Sequence, residues 1–225
     1  MDPLNCNEIG WLDLILKTKD FLTCFLSNHQ NLFYLLLCLI VFCETGLVAT
    51  PFLPGDSLLF TAGFLAKTNN STINVYLLAV LLFLSALAGD NVNYFIGRKI
   101  GIKIFDIKFL SRIIKRDYLT RTELFFEKHG GKTIILARFV PIIRTFAPFS
   151  AGMGNMPYGR YILYCIGGGL LWVNSILFAG YMFGSSDPND WVNKNFEKVV
   201  LGIVFLSVLP VVISFLKNKF SSAKK

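Results

Sequence analysis

The chain has 225 residues, 54% of them hydrophobic and only 16% charged, with a formal net charge of +8. Soluble domains carry roughly 25% charged residues. The composition therefore excludes an ordinary soluble enzyme and a nucleic-acid-binding domain, and indicates one compact, all-α integral membrane domain.

Residues 1–31 form an N-terminal segment. It lacks the basic start of a cleavable signal and carries Asp2, Glu8 and Asp13 instead. Over 11–26, Trp11, Leu14, Ile15, Leu22, Phe25 and Leu26 recur at helical spacing, with Asp13, Lys17 and Asp20 on the other face. That pattern suits an amphipathic helix in the membrane interface, or one packed on the protein's own surface. Residues 32–216 make the membrane domain. The apolar run 32–50 is expected to be a first membrane span, since about 20 residues cross the ~30 Å hydrocarbon core. Pro51 ends it. Residues 51–66, opened by Pro51, Pro54 and Gly55, are apolar but too short to span. They predict a re-entrant hairpin, which survives at membrane depth only when buried in protein or lining a cavity.

The second span is expected over 73–97, with Asp90, Asn91, Asn93 and Tyr94 in its last turns. A cytoplasmic loop, 98–133, follows. Residues 98–132 hold ten Lys and Arg against four Asp and Glu. Phe109, Leu110, Ile113 and Ile114 alternate there with Lys108, Arg112, Lys115 and Arg116. This reads as a basic amphipathic helix on an anionic lipid surface, or as ordinary positive-inside charge. Residues 134–154, broken at Pro141 and Pro148, predict a second re-entrant hairpin. Both hairpins close on Ala-Gly, at Ala62-Gly63 and Ala151-Gly152. Spans are expected over 158–184, where Gly167, Gly168 and Gly169 permit close helix approach, and over 198–216. Residues 217–225 are a basic tail. With the basic loop in the cytoplasm, four spans and two non-crossing hairpins put both termini there too. The hairpins then enter from opposite faces, the layout of an inverted-repeat transporter with a site at mid-depth.

An ionised group at the bilayer centre costs ~2.5–3.5 kcal/mol on insertion scales. Arg138 and Arg144, in the second hairpin, and Glu44 and Asp56, flanking the first break, are therefore candidate functional residues. A break at Pro141 can turn both guanidiniums into one cavity, where they suit a phosphate. Helix N-termini created by the break add attraction for an anion. Glu44 and Asp56 either neutralise the arginines or titrate as proton carriers. Asp90 is a secondary candidate, read as an interfacial anchor or a helix-pairing residue near Arg98. The five cysteines (Cys6, Cys24, Cys38, Cys43 and Cys165) form no CxxC pair and are expected to be reduced packing residues. Two histidines, His29 and His129, and no His/Cys cluster leave no metal site and no cofactor to expect.

Glu44, the run Phe52 to Leu59, Ala62-Gly63, Gly89-Asp90, Tyr94 to Arg98, Arg138-Phe139-Val140-Pro141, Arg144, Ala151-Gly152 and Met156 together resemble the DedA family. This is the bacterial branch of the SNARE-associated Golgi protein (VTT domain) superfamily, and the resemblance runs from about Phe33 to Leu216. It implies a bacterial inner-membrane protein that moves phospholipid or undecaprenyl phosphate between leaflets, linked to protons or membrane potential. It implies that Glu44 and Asp56 are the family's acidic pair and Arg138 and Arg144 its arginine pair. Ile142 stands where many members carry a glycine after the proline, which makes a stiffer turn here.

The expected function is thus a flippase for a phosphate-bearing lipid, with membrane lipids and protons as partners. Homo-oligomers are compatible with it. The alternative is a proton/cation antiporter with structural arginines. An enzyme is not expected, because no histidine lies in the spans and no activated nucleophile is evident. A pure scaffold leaves the intramembrane charges unexplained.

Overall fold

The structure is a computed structural model. It describes residues 18–28, 30–46, 55–68, 73–103, 131–139, 141–185, 191–196, 198, 199 and 202. Expectations for residues 1–17, Pro51, Pro54, the basic stretch 104–130, most of 198–216 and the tail 217–225 lie outside these. Among the described residues every regular element is a helix: α1 Thr18–Asn28, α2 Gln30–Gly46, α3 Gly55–Thr68, α4 Val75–Lys103, α5 Lys132–Ala137, α6 Pro141–Met153, α7 Tyr158–Phe183 and α8 Trp191–Lys194.

Local chemistry sets several helix ends. Asn74 caps α4, its Oδ1 accepting the backbone N–H groups of Tyr76 at 3.0 Å and Leu77 at 3.1 Å. Pro141 opens α6 at a position where the missing N–H costs nothing. The end of α6 is a Schellman motif. Asn155 takes φ 51°, Met156 N–H donates to Ala151 O at 3.0 Å and Asn155 N–H to Gly152 O at 3.2 Å. Pro148 was expected to break this segment, but α6 runs through it. The helix tolerates it because one lost backbone hydrogen bond does not outweigh the packing of its flanks.

Among the described residues, two helices are long and apolar enough to cross a membrane, over Val75–Lys99 and Tyr158–Phe183. The second expected span continues as helix past residue 97 to Lys103, so the expected loop 98–133 starts later than its charge suggested. Exposed apolar side chains line these helices, among them Tyr76, Leu84, Phe95, Leu163, Leu171 and Met182. Such a surface suits lipid.

The chain divides into two compact units, Met1–Leu36 with Pro54–Ala79 and Asn174–Lys225, and Leu37–Leu53 with Val80–Val173. In the first, Phe60, Phe64 and Phe196 form a core, and Lys19 of α1 lies 5.1 Å from the Phe64 ring and 5.2 Å from that of Phe196. The backbone N–H of Asn74 donates to the Tyr34 hydroxyl at 3.0 Å. The start of α2 therefore sits beside the start of α4, only a short loop from the end of α3. Of the expected span 32–50, the residues up to Gly46 are described, as helix; of the expected hairpin 51–66, α3 covers 55–66.

In the second unit, Tyr94, Ile134, Ala151, Met156, Tyr161 and Cys165 form a core. The α4 and α7 helices are antiparallel there. Phe95 stacks on Tyr158 and Tyr94 on Tyr161, with ring centroids 5.5 and 4.3 Å apart, while Phe83 meets the backbone at Gly169. The short α5 runs alongside α7 in the same direction, Gly131 against Tyr164 and Ile135 against Gly168.

One packing contact occurs twice, once in each unit. In the first, a Cβ on Gly180 would collide with the carbonyl of Phe60, and one on Gly63 with the carbonyl of Leu177, 3.0 Å from Tyr181 N. In the second, a Cβ on Gly97 would collide with the carbonyl of Phe149, and one on Gly152 with the carbonyl of Tyr94, 2.8 Å from Arg98 N. The spacings are identical: Phe60 and Gly63 match Phe149 and Gly152, while Leu177, Gly180 and Tyr181 match Tyr94, Gly97 and Arg98. Each returning hairpin leg thus packs on the long helix of the other half of the chain. Only glycine allows backbones this close.

Gly97→Ala and Gly180→Ala are therefore expected to lower thermal stability in detergent by similar amounts, about 1–3 kcal/mol each. Gly159→Ala, whose added Cβ meets nothing within 4 Å, is expected to be neutral. Unfolding midpoints of the three purified variants check this.

Candidate functional site

Among the described residues, four charged side chains are buried in the second unit: Glu44 at 1% exposure, Asp90 at 3%, Arg138 at 6% and Arg144 at 8%. Their positions follow from the local breaks. Glu44 sits in the last turn of α2. Arg138 follows the last residue of α5 with helical φ −63° and ψ −27°. Arg144 lies one turn into α6, after Pro141. Asp90 is in the middle of α4, well before its charged end.

The side chains form two ion pairs. Arg144 Nη2 donates to Glu44 Oε1, and Arg138 Nη2 donates to Asp90 Oδ2. A cation near a helix N-terminus opposes the helix dipole, so Arg144 depends on Glu44 for its burial. It also lies over Trp172, the guanidinium carbon 4.8 Å from the ring centroid. Around the second pair, Cys165 Sγ is 3.2 Å from Arg138 Nη2 and 3.4 Å from Asp90 Oδ2. The Tyr161 hydroxyl donates to the Asp90 carbonyl at 2.9 Å. Asn93 connects the breaks: its amide donates to Thr45 O at 3.0 Å and to Thr145 O at 2.7 Å. Those carbonyls belong to the residues next to Glu44 and Arg144, so one side chain holds both hairpin ends in place.

Asp90, Arg138, Arg144, Thr145, Pro148 and Trp172 line one small cavity. Both predicted arginines thus reach a common space. Of the predicted carboxylates, Glu44 pairs with Arg144. Asp56 lies buried in the first turn of α3, where a helix N-terminus favours its charge, and it belongs to the first unit. Pro51 and Pro54 lie outside the described residues, and Gly55 is the first residue of α3. Of the two readings of Asp90, interfacial anchor and helix pairing, its contact with Arg138 fits the second. Arg98 is exposed and reaches the Tyr94 hydroxyl at 3.4 Å, and Asp90 instead meets Arg138. Sequence reasoning also missed Trp172, Cys165, Tyr161 and Asn93. Only Asn93 carried a signal, as a polar residue inside an apolar run. The expectation that all cysteines are reduced fails at Cys24, which is disulfide-bonded, while Cys38, Cys43 and Cys165 are free.

Comparison with known proteins decides the family. Residues 53–182 match the VTT domain. The chain belongs to the DedA family of VTT-domain membrane proteins. It is 48% identical to Protein DedA of Escherichia coli over 95% of both chains. It is 46% identical to a membrane protein of Mycobacterium leprae, over 78% of this chain and 76% of that one. Identity to the inner membrane protein YqjA of E. coli is 31%, over 88% and 86% of the two chains. No solved structure matches.

Removing one partner of a buried ion pair strands the other charge. Glu44→Ala and Arg144→Ala are each expected to destabilise this DedA-family protein by about 3–5 kcal/mol. The double variant should lose clearly less than their sum. Unfolding of the three variants in detergent checks the coupling.

Proposed function

We propose that this protein moves a phosphate-bearing lipid between membrane leaflets, acting as a transporter rather than an enzyme. The observation that carries this reading is the pair of buried arginines lining one cavity. Guanidinium is the side-chain cation best matched to phosphate oxygens. Both arginines are neutralised by carboxylates in the observed state, so an entering phosphate must compete with those carboxylates. Protonating Glu44 would free Arg144 for the phosphate, which couples lipid binding to protons. Asp56, buried at the start of α3, stands in this reading as the other member of the acidic pair that the family resemblance implies. The lipid is of the phospholipid or undecaprenyl phosphate class, and a membrane lipid bilayer is the protein's working partner.

In proteoliposomes, Arg138→Ala and Arg144→Ala are expected to lower leaflet-to-leaflet movement of a phosphate-bearing lipid at least about tenfold, the loss of ~1.4 kcal/mol or more of phosphate binding. Unchanged lipid movement would sink the reading. Cation-dependent proton flux without lipid movement would favour an antiporter.

We further infer an inner-membrane topology in which α2–α3 and α5–α6 are hairpins entering from opposite faces. Support comes from the repeated glycine contact, the antiparallel α4 and α7, and a relative named as an inner membrane protein. The basic stretch after α4 belongs in the cytoplasm. The start of α2 lies beside the opposite end of α4, so the N-terminal segment belongs outside, which replaces the expectation that both termini are cytoplasmic. A disulfide at Cys24 suits that oxidising side. In intact cells lacking reductant, a membrane-impermeant maleimide should leave Cys24 unlabelled, and label it after treatment with an impermeant reductant. Labelling only after permeabilisation would refute the outward N-terminus.

A further inference from the structure

We propose that Asp90 is a second proton-exchanging carboxylate of the arginine site, and that the site takes up one proton for each negative charge a bound phosphate brings. The proposal rests on the phosphate reading above and extends it to the Asp90–Arg138 pair.

Charge must balance in a low-dielectric space. The site holds Glu44 and Asp90 against Arg138 and Arg144, and its formal charge is zero. Arginine stays protonated in proteins. A phosphate that enters without protons would leave net negative charge buried, which is expensive. The carboxylates restore neutrality by accepting protons, and a phosphate monoester can also take one on its own oxygen, since its second pKa lies near ~6. Glu44 alone offsets one charge, as a phosphate diester brings. A monoester bound as the dianion carries two, and the second proton then needs a carboxylate that itself lines the cavity, which Glu44 does not. Asp90 fills this requirement. It lines the cavity together with both arginines and is ion-paired to Arg138.

The groups facing Asp90 from the neighbouring helices are few. Arg138 approaches from the turn after α5 and Arg144 from α6, while Cys165 and Tyr161 come from α7. None of these neighbours is a second carboxylate. The Cys165 thiol touches both members of the pair, so it can stay hydrogen-bonded to one when the other lets go. The Tyr161 hydroxyl binds the Asp90 backbone and not its carboxylate. It therefore fixes the position of Asp90 while leaving the acid free to change protonation state. Asp90 is in this sense part of the binding site, with Tyr161 and Cys165 as positioning residues.

The experiment measures protons taken up per molecule of dodecyl phosphate bound. Purified full-length protein is titrated calorimetrically in buffers of different ionisation enthalpy, at an alkaline pH where the ligand is a dianion. The parent is expected to take up about two protons per phosphate, and Asp90→Asn about one, by the linkage of bound protons to bound charge. A short-chain phosphatidylglycerol, a monoanionic diester, should draw about one proton in the parent. Equal uptake by the parent and Asp90→Asn would overturn the proposal while leaving the phosphate site standing. Failure of the parent to bind dodecyl phosphate at any pH would overturn the phosphate reading itself and this proposal with it. If Asp90→Asn does not fold, Glu44→Gln gives the complementary test. It must still take up about one proton per phosphate, and zero uptake overturns the role of Asp90.

Discussion

A charge buried in an apolar interior must be neutralised where it sits. That constraint organises this protein. Four ionised groups with almost no exposure would each be prohibitive alone in a membrane domain, and they are tolerable only as two ion pairs. In both pairs the carboxylate comes from the first half of the chain and the arginine from the second. The pairs therefore tie the two halves together chemically. A ligand that takes an arginine away from its carboxylate must also loosen one of those ties.

The pairs can form only because the backbone is held at two breaks. The hairpin legs end at mid-helix positions of their neighbours, where Asn93 binds the carbonyls of Thr45 and Thr145. Glycines let the returning legs seat directly on the long helices. The same Phe-x-x-Gly contact is used in both units, with carbonyl oxygen against glycine Cα. A contact this tight fixes the register of a leg to within a residue, and register decides which side chains face the cavity. Small residues far from the charges thus control the chemistry at the charges.

Much of the membrane architecture was legible in the residues themselves. Apolar runs marked the long helices α4 and α7, proline marked the start of α6, and the two arginines stood out against their surroundings. The misreadings have a common origin. The run 32–50 has the composition of a span, yet no property of that run records the direction of the next helix. Asp90 looked interfacial because Asn91, Asn93 and Arg98 follow it, but the helix continues to Lys103 and leaves Asp90 in its interior. Trp172 and Cys165 sat in an apolar run with nothing to distinguish them from packing residues.

By itself, then, the sequence determined the solvent for which this chain is built, the places where its helices break and the inventory of charges that must be buried. These are local properties, because hydropathy, proline and glycine act within a few residues of where they stand. Only the tertiary structure decided that Glu44 meets Arg144, that Asp90 rather than Asp56 meets Arg138, and that α3 packs on α7 and α6 on α4. Those outcomes depend on which helix faces touch and in what register. Close packing at Gly63, Gly97, Gly152 and Gly180 sets both, across separations that no local pattern spans.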